Sequence, residues 1–338
     1  YEERNIDIHT DCKAVCIRPA KRKLVLEEGS EVDYDRLLLA NGAHPFVPPI
    51  EGKKKEGIFT LRSIRDALAI KKYAEKTDKA VIMGGGLLGL EFAASLKRLG
   101  QKVLVVELFS RLLPKQLDED GADVLRDQIE KMDIKVKLGA KTEKILGGTN
   151  FSGLKINDGR EFSGDLLLIS AGMRSNVALA KEAGIEVNRG VVVNEYLETS
   201  VNDIFAAGDV AEFEGENYGN IPAAVEQAGA AAKNILEEGA QTYEGTIPST
   251  TLKIVGIDLT SIGVVNPEGA QYEEKKKTNQ ERGIYKKIVL EDGEIVGAIL
   301  LGDQKGVTSI KKLMERKTDI TKYKDSLLMD EFNFKKLL

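Results

Sequence analysis

Three glycines, Gly84, Gly86 and Gly89, stand in "AVIMGGGLLGLEFAASLKRLG" with the spacing G-x-G-x-x-G, a turn able to approach a pyrophosphate. Val81, Ile82 and Met83 read as a short buried strand before them. Leu90, Ala93, Ala94 and Leu96 mark the inner face of a helix after them. Such a helix opens with N–H groups aimed at negative charge. Glycines also cap helices and close turns, so the spacing gains force only from its context. Glu107 ends the next strand, "KVLVVE", where a carboxylate accepts bonds from ribose hydroxyls and meets a 2′-phosphate as like charge. That favours NADH over NADPH, with Arg111 shortly beyond as a group able to reach a phosphate. Two roles are open to Glu91 on the first helical turns: a carboxylate favoured by the helix dipole, or a charged group beside the nicotinamide.

A second stretch, "ETSVNDIFAAGDVAEF", reads as a strand that delivers Asp209 to the C-terminal edge of a sheet, where open α/β folds bind ligands. The segment "GNIPAAVEQAGAAA" then opens a helix whose small residues let a flat ring or a phosphate pack close. Taken alone, "AGD" is equally an ordinary end of a strand.

The elements that must position these groups alternate along the chain. A hairpin turning at Glu28-Gly29-Ser30 leads to an apolar strand, Leu37 to Ala40, and to a proline-rich exit loop. A helix near Ser63 to Lys76 precedes the glycine-rich unit. Beyond it come a helix around Asp118 to Lys131, the strand "IKVKLG", short antiparallel pieces and the strand "DLLLISAG". This order implies a parallel sheet with right-handed crossovers. The strand "DIFAAGD" and a helix from Pro222 to Glu237 return to the first unit. After Thr246 the pattern changes to hairpins, "TLKIVGIDLTSIGVV" and "IYKKIVLEDGEIVGAILLG", closed by a basic helix near Thr308 to Lys317.

With 338 residues, 42% hydrophobic and 30% charged, the chain is long enough for two or three cores, and no run approaches the length of a membrane span. A net charge of −5 argues against non-specific nucleic-acid binding. Cys12 and Cys16 are the whole thiol inventory, which points to a reducing cytoplasm. On one strand they would lie roughly 13 Å apart, beyond the ~7 Å Cα limit of a disulfide, so they are expected to be structural. His9 and His44 lack a ligand cluster, and no metal is expected. The opening "YEERNIDIHTDCKAVCI" carries no signal-peptide pattern and reads as beginning inside an element, as if cut from something longer.

Together these residues resemble the two-dinucleotide flavoprotein reductases of the pyridine-nucleotide disulfide reductase fold, in the branch of the NADH-rubredoxin reductases and the flavoprotein portion of the large nitrite reductase subunit. "LLLANGAHP" resembles that family's A-T-G segment, with Asn41 in place of Thr. "LRSIRDA" is similar to L-R-x-x-x-D-A, "GGGLLGLE" to the NAD fingerprint with its active-site Glu, and "TSVNDIFAAGD" to T-x-x-x-x-[FY]-A-x-G-D. "LLISAGMRSN" is similar to a G-x-x-P-N segment, with Ser175 in place of Pro. "TLKIVGIDLTSIG" and "KKLMERKTDITKYKDSLL" resemble the branch's small C-terminal domain.

The resemblance implies an α/β fold with two dinucleotide-binding domains, its FAD domain lacking the N-terminal half, and a small C-terminal α+β domain. It divides the chain into 1–60 (FAD), 61–172 (NAD), 173–245 (FAD, second segment) and 246–338. It places NADH on Gly84, Gly86, Gly89 and Glu107, makes Glu91 the catalytic residue, and sets Ala40, Gly42, Arg62 and Asp209 against FAD. Ala14, Leu88 and Gly172 complete the cofactor-binding set. The implied activity is hydride transfer from NADH to FAD, then electron transfer to a small redox protein such as rubredoxin. The alternatives are an oxygen-reducing NADH oxidase and a redox-linked NADH-binding interaction protein.

Overall fold

The computed structural model describes residues 2–254 and 256–338. Tyr1, on which the reading of the chain's opening rests, and Val255 lie outside the described residues. The chain divides into two compact units, Tyr1–His44 with Met173–Thr246, and Pro45–Gly172 with Ile247–Leu338.

In the first unit, strands Ala14–Arg18, Lys23–Leu26 and Glu31–Asp33 form an antiparallel sheet. Leu37–Leu39 pairs in parallel with Ile204–Ala206, and Val191–Val193 with Ala211–Phe213. The helix Ile221–Leu236 starts where Asn220 accepts from the Ala223 N–H at 2.9 Å, with Pro222 in the first turn, where its missing donor costs nothing. It buries Ala230 and Ala231 with Leu39, Val191, Ile204 and Val210. Both cysteines are free, but Cys12 is exposed and precedes the strand, and the ladder is bulged between Ala14 and Cys16. The strand geometry expected for the pair therefore does not hold, because a bulge breaks the two-residue alternation.

The second unit holds a five-stranded parallel sheet ordered Ile58–Phe59, Leu166–Ile169, Lys79–Met83, Lys102–Val106, Ile134–Lys137. Residues 45–60 thus group with this unit, since Ile58–Phe59 is its edge strand. Ser63 and Asp66 close a capping box on helix Ile64–Ala74. Helix Leu87–Arg98 follows the glycine loop, and Asp118 caps helix Glu119–Lys131 by accepting from the Gly121 N–H at 3.1 Å. Strands Thr142–Leu146, Gly153–Ile156 and Glu161–Ser163 form the antiparallel piece. The C-terminal segment builds a five-stranded antiparallel sheet, in the order Ser249–Ile254, Ile257–Gly263, Glu294–Leu301, Ile284–Glu291, Tyr272–Asn279, with helix Val307–Glu315. It shares a core with the parallel sheet: Leu259, Tyr285, Ile299 and Leu301 cluster with Ile82, Leu90, Leu113 and Leu125.

A buried charge network lies in that shared region. The Tyr285 hydroxyl donates to Asp118 Oδ2 at 2.6 Å, and Lys287, 1% exposed, reaches the same oxygen at 3.1 Å and Glu274 Oε1 at 2.9 Å. Lys276 joins at 3.0 Å from Asp118. Burial works to raise the Asp118 carboxyl, but Tyr285, Lys276, the Gly121 N–H and Lys287 together hold it below its ordinary value. A group depressed in the folded state contributes stability that is complete above its unfolded pKa and drains away as pH falls through the lower folded value. Asp118→Asn, which leaves Lys287 short of a partner, is expected to cost about 3 to 5 kcal/mol at pH 7. It should also flatten the loss of stability on acidification below the ordinary carboxylate range. Urea unfolding of both chains at several pH values checks this; an unchanged pH slope would sink it.

Candidate nucleotide-binding site

The glycine loop is shaped by contacts that only glycine allows. Gly84 has φ of +115°, and a Cβ there would lie 2.1 Å from the Ser170 carbonyl oxygen. A Cβ on Gly89 would lie 2.1 Å from the Gly84 carbonyl oxygen, so the helix and the strand end meet backbone to backbone. Gly86 differs. It is the N-cap, makes no side-chain cap, and a Cβ there would meet nothing within 4 Å. The N–H groups of the first turn therefore open onto free space at the C-terminal edge of a parallel sheet, an arrangement that favours an anion. Leu88 is exposed on that turn. Gly85, an unspecified position in the motif, also has to be small: its Cβ would meet Leu112 Cδ2 at 2.6 Å.

Glu107 sits directly after the second nucleotide strand and is only 5% exposed. Its Oε2 accepts from the Gly85 N–H, and its Oε1 from the Phe109 N–H at 2.8 Å. The carboxylate thus braces the glycine loop, a role its residue type did not announce, and each oxygen keeps a further lone pair for a ribose hydroxyl. Phe109 stands exposed beside it. Glu91 is exposed on helix Leu87–Arg98, and the neighbouring protein bulk raises its carboxyl above the ordinary value.

The residues expected against a flavin fall in both units. Arg62 belongs to the nucleotide unit, exposed before its first helix. Asp66 Oδ2 accepts from the N–H groups of Arg62 at 3.0 Å and Ser63 at 2.8 Å, so the Asp of the L-R-x-x-x-D-A pattern fixes the backbone that carries the Arg. Gly172, the last residue of this unit's first segment, is exposed with φ of +98°, and its carbonyl accepts from the Phe46 N–H at 2.8 Å.

In the other unit, Ala40 and Ala207 follow the paired strands Leu37–Leu39 and Ile204–Ala206. Gly42 and Gly208 take left-handed backbone, and Asp209 lies in the tight turn Gly208–Val210. The Ser175 hydroxyl donates to the Asp209 carbonyl at 2.7 Å, and buried Gln227 accepts from the Gly208 N–H at 2.8 Å. Asn41 and Asn176 exchange amide-to-carbonyl bonds of 2.9 and 2.6 Å, and His44 Nδ1 lies 2.7 Å from Asn176 Oδ1. Sequence reasoning missed Gln227, although it lies within the quoted "AAVEQAGAAA". Ala14 opens its strand half-buried and partners Leu26. A carboxylate and two left-handed glycines at the ends of parallel strands fit a polyhydroxyl chain that needs acceptors and close backbone approach.

Residues 2–228 match the model of the pyridine nucleotide-disulphide oxidoreductase family, and residues 248–318 match that of the rubredoxin NAD+ reductase C-terminal domain. The chain belongs to the pyridine nucleotide-disulphide oxidoreductase family. It is 36% identical over 321 residues to a nitrite reductase [NAD(P)H] of Bacillus subtilis, covering 95% of this chain and 40% of that protein. It is 36% identical to an NADH oxidase of Methanocaldococcus jannaschii, covering 90% of this chain and 73% of that one. The crystal structure of NADH:rubredoxin oxidoreductase from Clostridium acetobutylicum superposes with a TM-score of 0.75 at 29% identity, over 94% of this chain and 79% of that one. The expected fold, two dinucleotide-binding domains with a rubredoxin-reductase C-terminal domain, is the one found. The chain spans about two-fifths of the length of the nitrite reductase relative.

The loop geometry separates two glycine substitutions. Gly86→Ala adds a methyl into the open space before the helix and should leave thermal stability unchanged while weakening NADH binding about tenfold, ~1.4 kcal/mol. Gly89→Ala collides with the Gly84 carbonyl and should lose both stability and binding. Thermal melts with fluorescence titration of NADH decide it; undiminished affinity in Gly86→Ala would show that no phosphate sits there.

Proposed function

We propose that this chain is the NADH-oxidising, flavin-carrying part of an electron-transfer oxidoreductase that hands electrons to a small redox protein of the rubredoxin type. The observation that carries the reading is the uncapped, open helix N-terminus at Gly86, held by the backbone contacts that require glycine at Gly84 and Gly89 and flanked by Glu107. In this assignment residues 61–172 hold NADH, residues 1–60 and 173–245 hold FAD, and residues 246–338 form the additional domain. The Leu87–Leu88 turn receives the pyrophosphate, Glu107 accepts from the ribose while bracing Gly85, and Glu91 places a carboxyl of raised pKa near the nicotinamide. Asp209 accepts from the ribityl hydroxyls, Ala40 and Gly42 give close backbone approach, and Arg62 supplies positive charge. FAD, when bound, supplies the hydride acceptor and the step down to single electrons. Relatives named NADH-rubredoxin oxidoreductase and Rubredoxin-NAD(+) reductase support the choice of acceptor. The Methanocaldococcus relative supports a second reading, an NADH oxidase that passes electrons to oxygen. Two free thiols accord with a cytoplasmic setting. Among the described residues no helix is long and apolar enough to cross a membrane.

The test is anaerobic mixing of the FAD-loaded protein with NADH, followed by rubredoxin or air. Bleaching of the flavin band by NADH and fast recovery with rubredoxin are expected; recovery with air alone selects the oxidase, and an unbleached flavin defeats both. Asp209→Ala should lower FAD affinity about 5- to 150-fold through unpaired ligand hydroxyls, with NADH binding retained. Full flavin occupancy at unchanged affinity in that variant would remove Asp209 from the site.

A further inference from the structure

The connection from Glu107 to Asp118 is gripped at both ends. At its start, Glu107 holds the Gly85 N–H, the Leu113 N–H donates to the Gly85 carbonyl at 3.2 Å, and Leu112 packs against Gly85. At its far end the C-terminal segment takes hold. Asn266 Nδ2 donates to the Pro114 carbonyl at 3.2 Å and the Leu117 carbonyl at 3.4 Å, while Tyr285 and Lys287 hold Asp118. Between the two grips Leu113, fully buried, sits at φ of +48°, a conformation a bulky side chain adopts only when its surroundings impose it. Val265, next to Asn266, lies in the same core as Leu113 and Leu117.

We propose that Asn266 and Tyr285 are positioning residues for nucleotide binding: the C-terminal segment, acting through the 107–118 connection, holds the Gly84–Gly86 loop in its phosphate-accepting shape. This rests on the nucleotide reading above. Neither residue is needed to touch NADH; each fixes one end of a strained connection whose other end is hydrogen-bonded to Gly85.

The test uses the full 338-residue chain and three conservative changes. Asn266→Asp keeps the shape of an exposed side chain but replaces the donor with a carboxylate facing two carbonyls, Asn266→Gln retains the donor, and Tyr285→Phe removes one hydroxyl. Asn266→Asp and Tyr285→Phe should raise the NADH dissociation constant about three- to tenfold, the loss of one hydrogen bond, and Asn266→Gln should recover part of it. Hydrogen exchange of the Gly85 and Leu113 amides, measured without nucleotide, should quicken in the same two variants. Unchanged exchange and unchanged affinity, even with a lowered melting temperature, would overturn the positioning role. A parent chain that binds no NADH, with exchange still quickened in the variants, would overturn the nucleotide reading and leave the mechanical link standing.

Discussion

Everything in the nucleotide unit depends on one close approach, the carbonyl of Gly84 against Gly89 at the first turn of helix Leu87–Arg98. With a side chain at Gly89 the strand end and the helix could not meet, and the helix N-terminus would point elsewhere. That contact lets Leu90, Ala93 and Ala94 sink into the sheet formed around Ile82 and Val105. Burial of this apolar face, at roughly 25 cal/mol per Å², outweighs what the three glycines lose in chain entropy. The open helix end is therefore a by-product of packing: the first-turn N–H groups lack a side-chain cap because the residue before them has no side chain.

The same economy governs Glu107. A carboxylate at the end of a strand would be expected to face solvent, yet this one is buried and receives two backbone N–H groups. Charge-assisted bonds of this kind are the strong ones, and they lock the loop before any ligand arrives. They also dilute the negative potential that a 2′-phosphate would meet.

Local signals made much of this legible. Ser63 with Asp66, Asp118 and Asn220 are side chains that cap helices by short-range bonds, and the helices start where those residues stand. The glycine spacing and the strand before it carried the nucleotide loop for the same reason. What escaped the sequence was tertiary. Lys287 lies on the same strand as Tyr285 and Val289 at two-residue spacing, and its type reads as solvent-facing, whereas it is buried between Asp118 and Glu274. Its partners come from remote segments, so no window of sequence contains them. Gln227 escaped likewise, since its bond to Gly208 joins a helix to a turn nineteen residues away. Cys12 was misplaced because its strand begins only at Ala14, and the bulge between Ala14 and Cys16 is a one-residue event that periodicity cannot register.

The shared core changes what the C-terminal segment is for. A separate module would bring its own apolar interior and a polar face toward its neighbour, but Leu259, Tyr285, Ile299 and Leu301 pack in the same cluster as residues under the glycine loop. Tyr285 even requires Gly121, where a Cβ would lie 2.8 Å from its ring, so a helix of the nucleotide unit is cut to receive it. Removing the segment would expose that cluster and leave Asp118 without the hydroxyl and ammonium groups that hold it ionised in a buried place. Nucleotide sheet and C-terminal sheet thus share one core, and the glycine loop is tied through the 107–118 connection to residues more than a hundred positions downstream.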